Sequence, residues 1–152
     1  MNFTYDLLNN YMLVTAVVAW LLAQIIKTMI DAYFNKTINW ERMTGSGGMP
    51  SSHSAFVVSM ATAAAIEHGM SSSIFAICFV LASVVMYDAT GVRRETGKQA
   101  VLLNKMLEDN PFNWKPEEFE MKLKEYVGHT PLQVLMGALL GILVAFMVKT
   151  RY

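Results

Sequence analysis

LLNNYMLVTAVVAWLLAQII, residues Leu7–Ile26, holds no acid and no base over about the 20 residues that an α-helix needs to cross the hydrocarbon core of a bilayer. Working outward from it, three more runs lack Asp, Glu, Lys and Arg: Met43–Ile66, His68–Tyr87 and Tyr126–Val148. The second opens with a loop-like Gly, Ser and Pro cluster, Thr44–Ser54. Its apolar part, Ala55–Ile66, is short, and the helix there is expected to be tilted, flanked by protein or only partly exposed to lipid. The reading is an all-α integral membrane protein, about four transmembrane helices in one bundle. A soluble bundle is disfavoured, because four such runs leave too little polar surface to solvate the outside.

Composition agrees with this reading. Over 152 residues, 54% are hydrophobic and only 16% charged, against about a quarter charged in soluble domains. Twelve basic and twelve acidic residues cancel, which excludes a polycation built for nucleic acid. The first run has only Asp6 before it and no basic n-region, so it is expected to be a retained anchor rather than a cleaved signal peptide. Cys78, the single cysteine, falls in the third run, so there is no intrachain disulfide and no cysteine metal pattern.

The charges are polarised along the chain. If the runs alternate across the membrane, the first connection carries Lys27, Lys36 and Arg42. The third-to-fourth connection carries Arg93, Arg94, Lys98, Lys105, Lys115, Lys122 and Lys124. The two share a side that the positive-inside rule assigns to the cytoplasm, with both termini outside. Residues 95–127 are expected to form a helical extramembrane insertion within a single membrane domain, 1–152. Gln99, Leu102, Leu103 and Met106 predict a short amphipathic helix on the membrane surface. After a break at Asp109–Pro111, Pro116, Glu117 and Glu118 suit the start of a second helix, with Glu118–Lys122 and Glu120–Lys124 pairs on its wet side.

Three constellations carry chemistry. Thr44-Gly-Ser-Gly-Gly-Met-Pro-Ser-Ser-His-Ser54 stands directly before an apolar helix. Its glycines and hydroxyls offer donors beside a positive helix end, an anion cradle, and His53 lies where it can give a proton to a leaving oxygen. Asp88-Ala-Thr-Gly-Val-Arg-Arg94 supplies two guanidinium forks suited to phosphate and a carboxylate in need of a partner. Gly128-His129-Thr-Pro-Leu-Gln133 leads into Val134–Gly141, whose Gly137-x-x-x-Gly141 spacing makes a flat face for another helix, with Ala61, Ala64 and Ala65 as the expected partner.

Together these residues resemble the type 2 phosphatidic acid phosphatase (PAP2) superfamily, in its divergent small branch related to acid phosphatases and vanadium haloperoxidases. Pro50-Ser-Ser-His53 is similar to the family's Pro-Ser-Gly-His motif, and Gly128-His129 with the small-residue helix after it to the histidine half of the third motif. Arg94, with Arg93 second, matches the third-motif arginine, and Lys27 the first-motif lysine. The chain departs from the family in three places: no Arg-Pro follows Lys27, the Arg94–His129 interval is longer, and Gln133 stands where an aspartate should orient the histidine.

The resemblance implies a metal-independent, cofactor-free phosphatase. His129 is the expected nucleophile, forming a phosphohistidine, and His53 the expected acid and base. Lys27, Arg93, Arg94, Ser51, Ser52 and Gly48 would hold the phosphate oxygens. Asp88 is the expected substitute for the missing aspartate. The boundary location implies a lipid phosphomonoester or diphosphate as substrate. Cytoplasmic loops favour a phosphatidate or phosphatidylglycerophosphate type over a polyprenyl diphosphate. The expected partners are that lipid and the cell-membrane bilayer, with no nucleic acid and with homo-oligomerisation left open. The alternative is a non-catalytic membrane protein that binds anionic lipid or phosphate in the same cradle.

Overall fold

The computed structural model describes residues 3–36, 48–109, 123 and 128–149, all helical or connecting, with no strand among them. The helices are α1 (Phe3–Leu8), α2 (Tyr11–Asn35), α3 (Ser52–His68), α4 (Ser73–Thr90), α5 (Val92–Asp109) and α6 (Pro131–Lys149). Their ends are written locally. Asn10 Oδ1 caps α2 by accepting from the Leu13 N–H at 2.9 Å, and Ser72 Oγ caps α4 by accepting from the Phe75 N–H at 3.1 Å. Gly69, at φ +83°, closes α3 in a backbone conformation that glycine adopts without a Cβ penalty.

Three interhelical bonds define the topology. The Tyr11 hydroxyl donates to Ala145 O at 2.7 Å, joining the start of α2 to the far part of α6. The Ser51 N–H donates to Gln133 O at 3.0 Å, so α3 and α6 start side by side. The His129 N–H donates to Ala89 O at 2.9 Å, bringing the end of α4 to the same place. The helices α2, α3, α4 and α6 therefore alternate in direction. The connections that follow α2 and α4 emerge at one end, as the charge pattern requires.

Among the described residues, three segments are long and apolar enough to cross a membrane: Tyr11–Asn35, Ser73–Glu108 (α4 continued by α5) and Pro131–Lys149. The run read as a further span is α3, a helix of 17 residues enclosed by α2, α4 and α6. Its short apolar length is matched by protein on three sides. The core is built from small side chains: Ala19, Ala23, Ala55 and Val144 join α2, α3 and α6, while Val57, Ala61, Ala64, Cys78 and Ala82 join α3 to α4. Small residues let backbones approach closely, the way helices associate where lipid removes the hydrophobic drive. Outside, Val17, Leu21, Ile25, Ile77, Val80, Val84, Leu135, Leu139 and Leu143 are all exposed. Apolar surface of that extent belongs against a bilayer.

The flat face of α6 meets a different partner from the one expected. A Cβ on Gly137 would lie 2.3 Å from Ser51 O, and one on Gly141 2.7 Å from Ala55 O and 2.9 Å from Ser59 N. The receiving stripe is Ser51, Ala55 and Ser59, at i, i+4 and i+8, whereas Ala61 and Ala64 pack toward α4. The reason is the parallel start of α3 and α6, which sets the glycines of α6's first turns beside the first turns of α3.

In α5 the inward face is Gly97, Ala100 and Asn104, and the expected apolar stripe, Gln99, Leu102, Leu103 and Met106, is exposed. The Asn104 amide clasps the Leu123 backbone, donating to its O at 2.9 Å and accepting from its N–H at 3.0 Å. The expected helix from Pro116, with its Glu–Lys pairs, and the residues Arg42, Thr44–Gly47, Lys115, Lys122 and Lys124 lie outside the described residues.

Candidate functional site

The site forms where four helix ends converge. On α2, Tyr11, Thr15, Ala19, Ala23 and Lys27 recur every four residues along one buried stripe, so helical periodicity carries Lys27 inward and leaves it only 2% exposed. The chain returning toward α3 wraps this side chain. A Cβ on Gly48 would lie 2.9 Å from Lys27 Cγ, and Gly48 itself has φ +84°. Only glycine satisfies both the close approach and the left-handed backbone.

Ser51 then starts α3. Its hydroxyl accepts from the Ser54 N–H at 3.3 Å and from the Ser54 hydroxyl at 3.0 Å, while its N–H is bound to Gln133 O. Ser51 is fully buried, and its hydroxyl caps the helix. Ser52 follows, 4% exposed, and with His53 it contributes first-turn N–H groups that have no partner within the helix. His53 is exposed and faces His129, the two ring centroids 6.3 Å apart at 58°.

His129 is 4% exposed and is held from both sides. Its N–H is bound to Ala89 O, and the preceding Gly128 (φ +100°) lies so close to the Arg93–Arg94 backbone that a Cβ would come 2.4 Å from Arg94 N. Beyond it α6 begins with a capping box: the Gln133 N–H donates to Thr130 Oγ1 at 3.3 Å, and the Thr130 N–H donates to Gln133 Oε1 at 2.9 Å. Pro131 occupies the first helical position, where its missing N–H is no loss. The same Gln133 Oε1 lies 3.3 Å from His129 Nδ1.

Arg93, the second residue of α5, forms an ion pair with Asp88 on the last turns of α4. Asp88 engages Arg93, and the side chain at His129 Nδ1 is Gln133. Arg93, ranked second from the sequence, is the guanidinium whose charge acts on both histidines together with that of Lys27, while Arg94 contributes backbone packing against Gly128. Burial, reinforced by the charges of Lys27 and Arg93 and by His53, holds the His129 imidazole below the usual histidine value against the opposing pull of the Gln133 hydrogen bond.

His53, His129, Lys27, Gly48, Ser51, Ser52, Asp88 and Arg93 thus converge at one end of the bundle. The partner missed from the sequence is Gln133, although Thr130-Pro-Leu-Gln133 has the Thr-x-x-Gln spacing of a capping box. Among the described residues no group of three or more His, Cys, Asp or Glu could hold a metal ion. Two imidazoles beside a buried ammonium and a guanidinium can bind a tetrahedral oxyanion and move a proton on either side of it.

The chain is 42% identical over 147 residues to "Uncharacterized membrane protein YuiD" of Bacillus subtilis (strain 168), covering 91% of this chain and 93% of that protein. No solved structure matches the chain. Residues 8–144, nearly the whole chain and every residue of the site, match the divergent PAP2 family, and with its paired histidines the protein belongs to that family of membrane proteins.

Proposed function

We propose that the protein is a metal-independent lipid phosphate phosphatase working through a phosphohistidine. The observation that carries this reading is the pairing of His53 and His129 at 6.3 Å, within the field of Lys27 and Arg93, at one end of an apolar bundle. At that separation both rings can act on one phosphoryl group. His129 attacks phosphorus, and the P–O bond to the lipid alkoxide breaks as His53 gives its proton to the departing oxygen. His53, now neutral, takes a proton from water; the hydroxide attacks phosphohistidine, the P–N bond breaks, and phosphate leaves with both histidines restored. Lys27, Arg93, Ser52 and the N–H groups at the start of α3 stabilise the equatorial oxygens.

The substrate is a phosphate ester carried on a membrane lipid. Its head group enters the polar end while its chains stay against the apolar flanks of α2, α4 and α6. In this reading α3 is the fourth membrane-crossing helix, shielded by the other three, and the exposed stripe of α5 lies at the membrane interface. The basic connections support a site on the cytoplasmic side, which favours a phosphatidate-like substrate.

The test is phosphate release by the purified protein from a panel of lipid phosphates, with vanadate and with a chelator. Release that vanadate inhibits, a chelator spares and His129→Ala abolishes supports the enzyme. Retention of phosphate or anionic lipid without release from any substrate supports the alternative, a binding protein that uses the same cradle. Gln133 at the aspartate position favours that alternative.

A further inference from the structure

Gln133 has a role at the site that the family resemblance leaves unfilled. Its Oε1 receives the Thr130 N–H at 2.9 Å, and a backbone N–H only donates. That bond identifies the atom as the amide oxygen, because the flipped amide would set its NH2 against another donor. The same oxygen lies 3.3 Å from His129 Nδ1. An acceptor facing a ring nitrogen requires that nitrogen to carry the proton. In the neutral imidazole the lone pair then resides on Nε2. The capping box thus serves two ends at once: one half starts α6, and the other orients the ring next to it.

We propose that Gln133 is the positioning residue for His129, fixing the Nδ1–H tautomer and leaving Nε2 as the atom that attacks phosphorus. This rests on the phosphatase reading for its catalytic meaning, while the tautomer itself does not. The groups around the ring are Lys27 from α2, His53 from α3 and Arg93 from α5, all cationic or able to become so. A neutral amide fixes the tautomer without adding a carboxylate that would stabilise the protonated, non-nucleophilic ring. The chain keeps the orienting contact of the family aspartate and gives up its charge.

The test uses the full chain in lipid nanodiscs with 15N-labelled histidine, the His129 signals being assigned by their loss in His129→Asn. At a pH where the ring is neutral, the expected spectrum has a protonated Nδ1 and an unprotonated Nε2. Gln133→Leu removes the acceptor and is expected to lose that preference. Gln133→Glu keeps both the capping box and the acceptor and is expected to retain it. Thr130→Val removes only the other half of the capping box and serves as the structural control, with the tautomer unchanged. A protonated Nε2 in the wild-type protein, or a tautomer unaffected by Gln133→Leu, overturns the proposal.

In parallel, phosphate release from phosphatidate vesicles is expected to fall in kcat by roughly 10²-fold or more in Gln133→Leu, as for other wrong-tautomer catalysts, with KM little changed. In Gln133→Glu the acid limb of the pH profile is expected to move upward, because a carboxylate favours the imidazolium. A Gln133→Leu loss confined to KM, or a Thr130→Val loss as large as that of Gln133→Leu, overturns the positioning role. If the wild-type protein hydrolyses no lipid phosphate, the phosphatase reading fails, and the tautomer remains decided by the nitrogen spectra.

Discussion

Gly137 meets the carbonyl of Ser51 so closely that a Cβ there would lie 2.3 Å from the oxygen. The contact is with backbone, which cannot swing aside as the tip of a long side chain can. Gly137→Ala is expected to force α6 away from α3 and to destabilise the bundle by about 1–3 kcal/mol, the usual range for overpacking. Because the same crossing brings His53 to His129, phosphate release should fall alongside the unfolding midpoint in denaturant. A variant that is destabilised yet fully active would separate the crossing from the chemistry.

The two histidines have different jobs in the proposed reaction and should fail differently. His129→Ala removes the nucleophile and is expected to leave no release above background from any substrate. His53→Ala removes only the proton donor, so the loss, on the order of 10²–10⁴-fold with a lipid alkoxide, should shrink markedly with an aryl phosphate whose phenolate leaves unaided. Comparing kcat for the two leaving groups in one variant checks the assignment; equal losses would count against it.

Acid should inactivate the protein through His129. Its imidazole is held below the usual value of about 6.5, first by burial. The neutral, nucleophilic form therefore persists through neutrality, and the acid limb of the activity profile is expected at that lowered value, while the alkaline limb belongs to His53, which must enter the step protonated. The sign for stability is the same. Below about 6.5 the unfolded chain binds a proton that the folded ring resists, so stability decreases as pH falls until the folded ring also protonates. His129→Asn should flatten this part of a stability-against-pH curve measured by denaturant midpoint.

Arg93 and Arg94 are neighbours in sequence with unlike roles. Arg93→Ala should weaken vanadate inhibition by about tenfold or more, as expected on losing a charge-assisted contact to an oxyanion, while Arg94→Ala should change it little. Asp88→Asn frees the Arg93 guanidinium and is expected to alter vanadate affinity without moving the pH midpoint set by His129. Their ion pair is solvent-exposed, and its loss should affect stability by no more than about 1 kcal/mol.

What could be read from residues alone was what depends on one helix at a time. Gaps between charges locate α2, α4 and α6, because a membrane-crossing helix needs a fixed apolar length. Ser51 before an apolar helix announces a helix start, because a cap is a local bond. The partner of Gly137, the choice of Arg93 over Arg94 and the binding of Asp88 to Arg93 depend instead on how helices cross. Period and spacing carry no information about the crossing. Gln133 lay between the two cases. Its capping spacing is visible in the sequence, whereas its contact with His129 Nδ1 requires the ring to fold back over the start of α6.

The approach of Gly128 to the Arg93–Arg94 backbone bears on how such a chain can vary. Having left the site at Arg94, the polypeptide is back beside the same atoms at Gly128, and the bond from His129 N–H to Ala89 O seals the junction. Everything between is an excursion whose two ends coincide. The entropy of closing such an excursion rises only with the logarithm of its length, about 0.6 kcal/mol for each doubling. Insertions here can accumulate almost without thermodynamic resistance, and the distance in sequence between arginine and histidine says nothing about their distance in space.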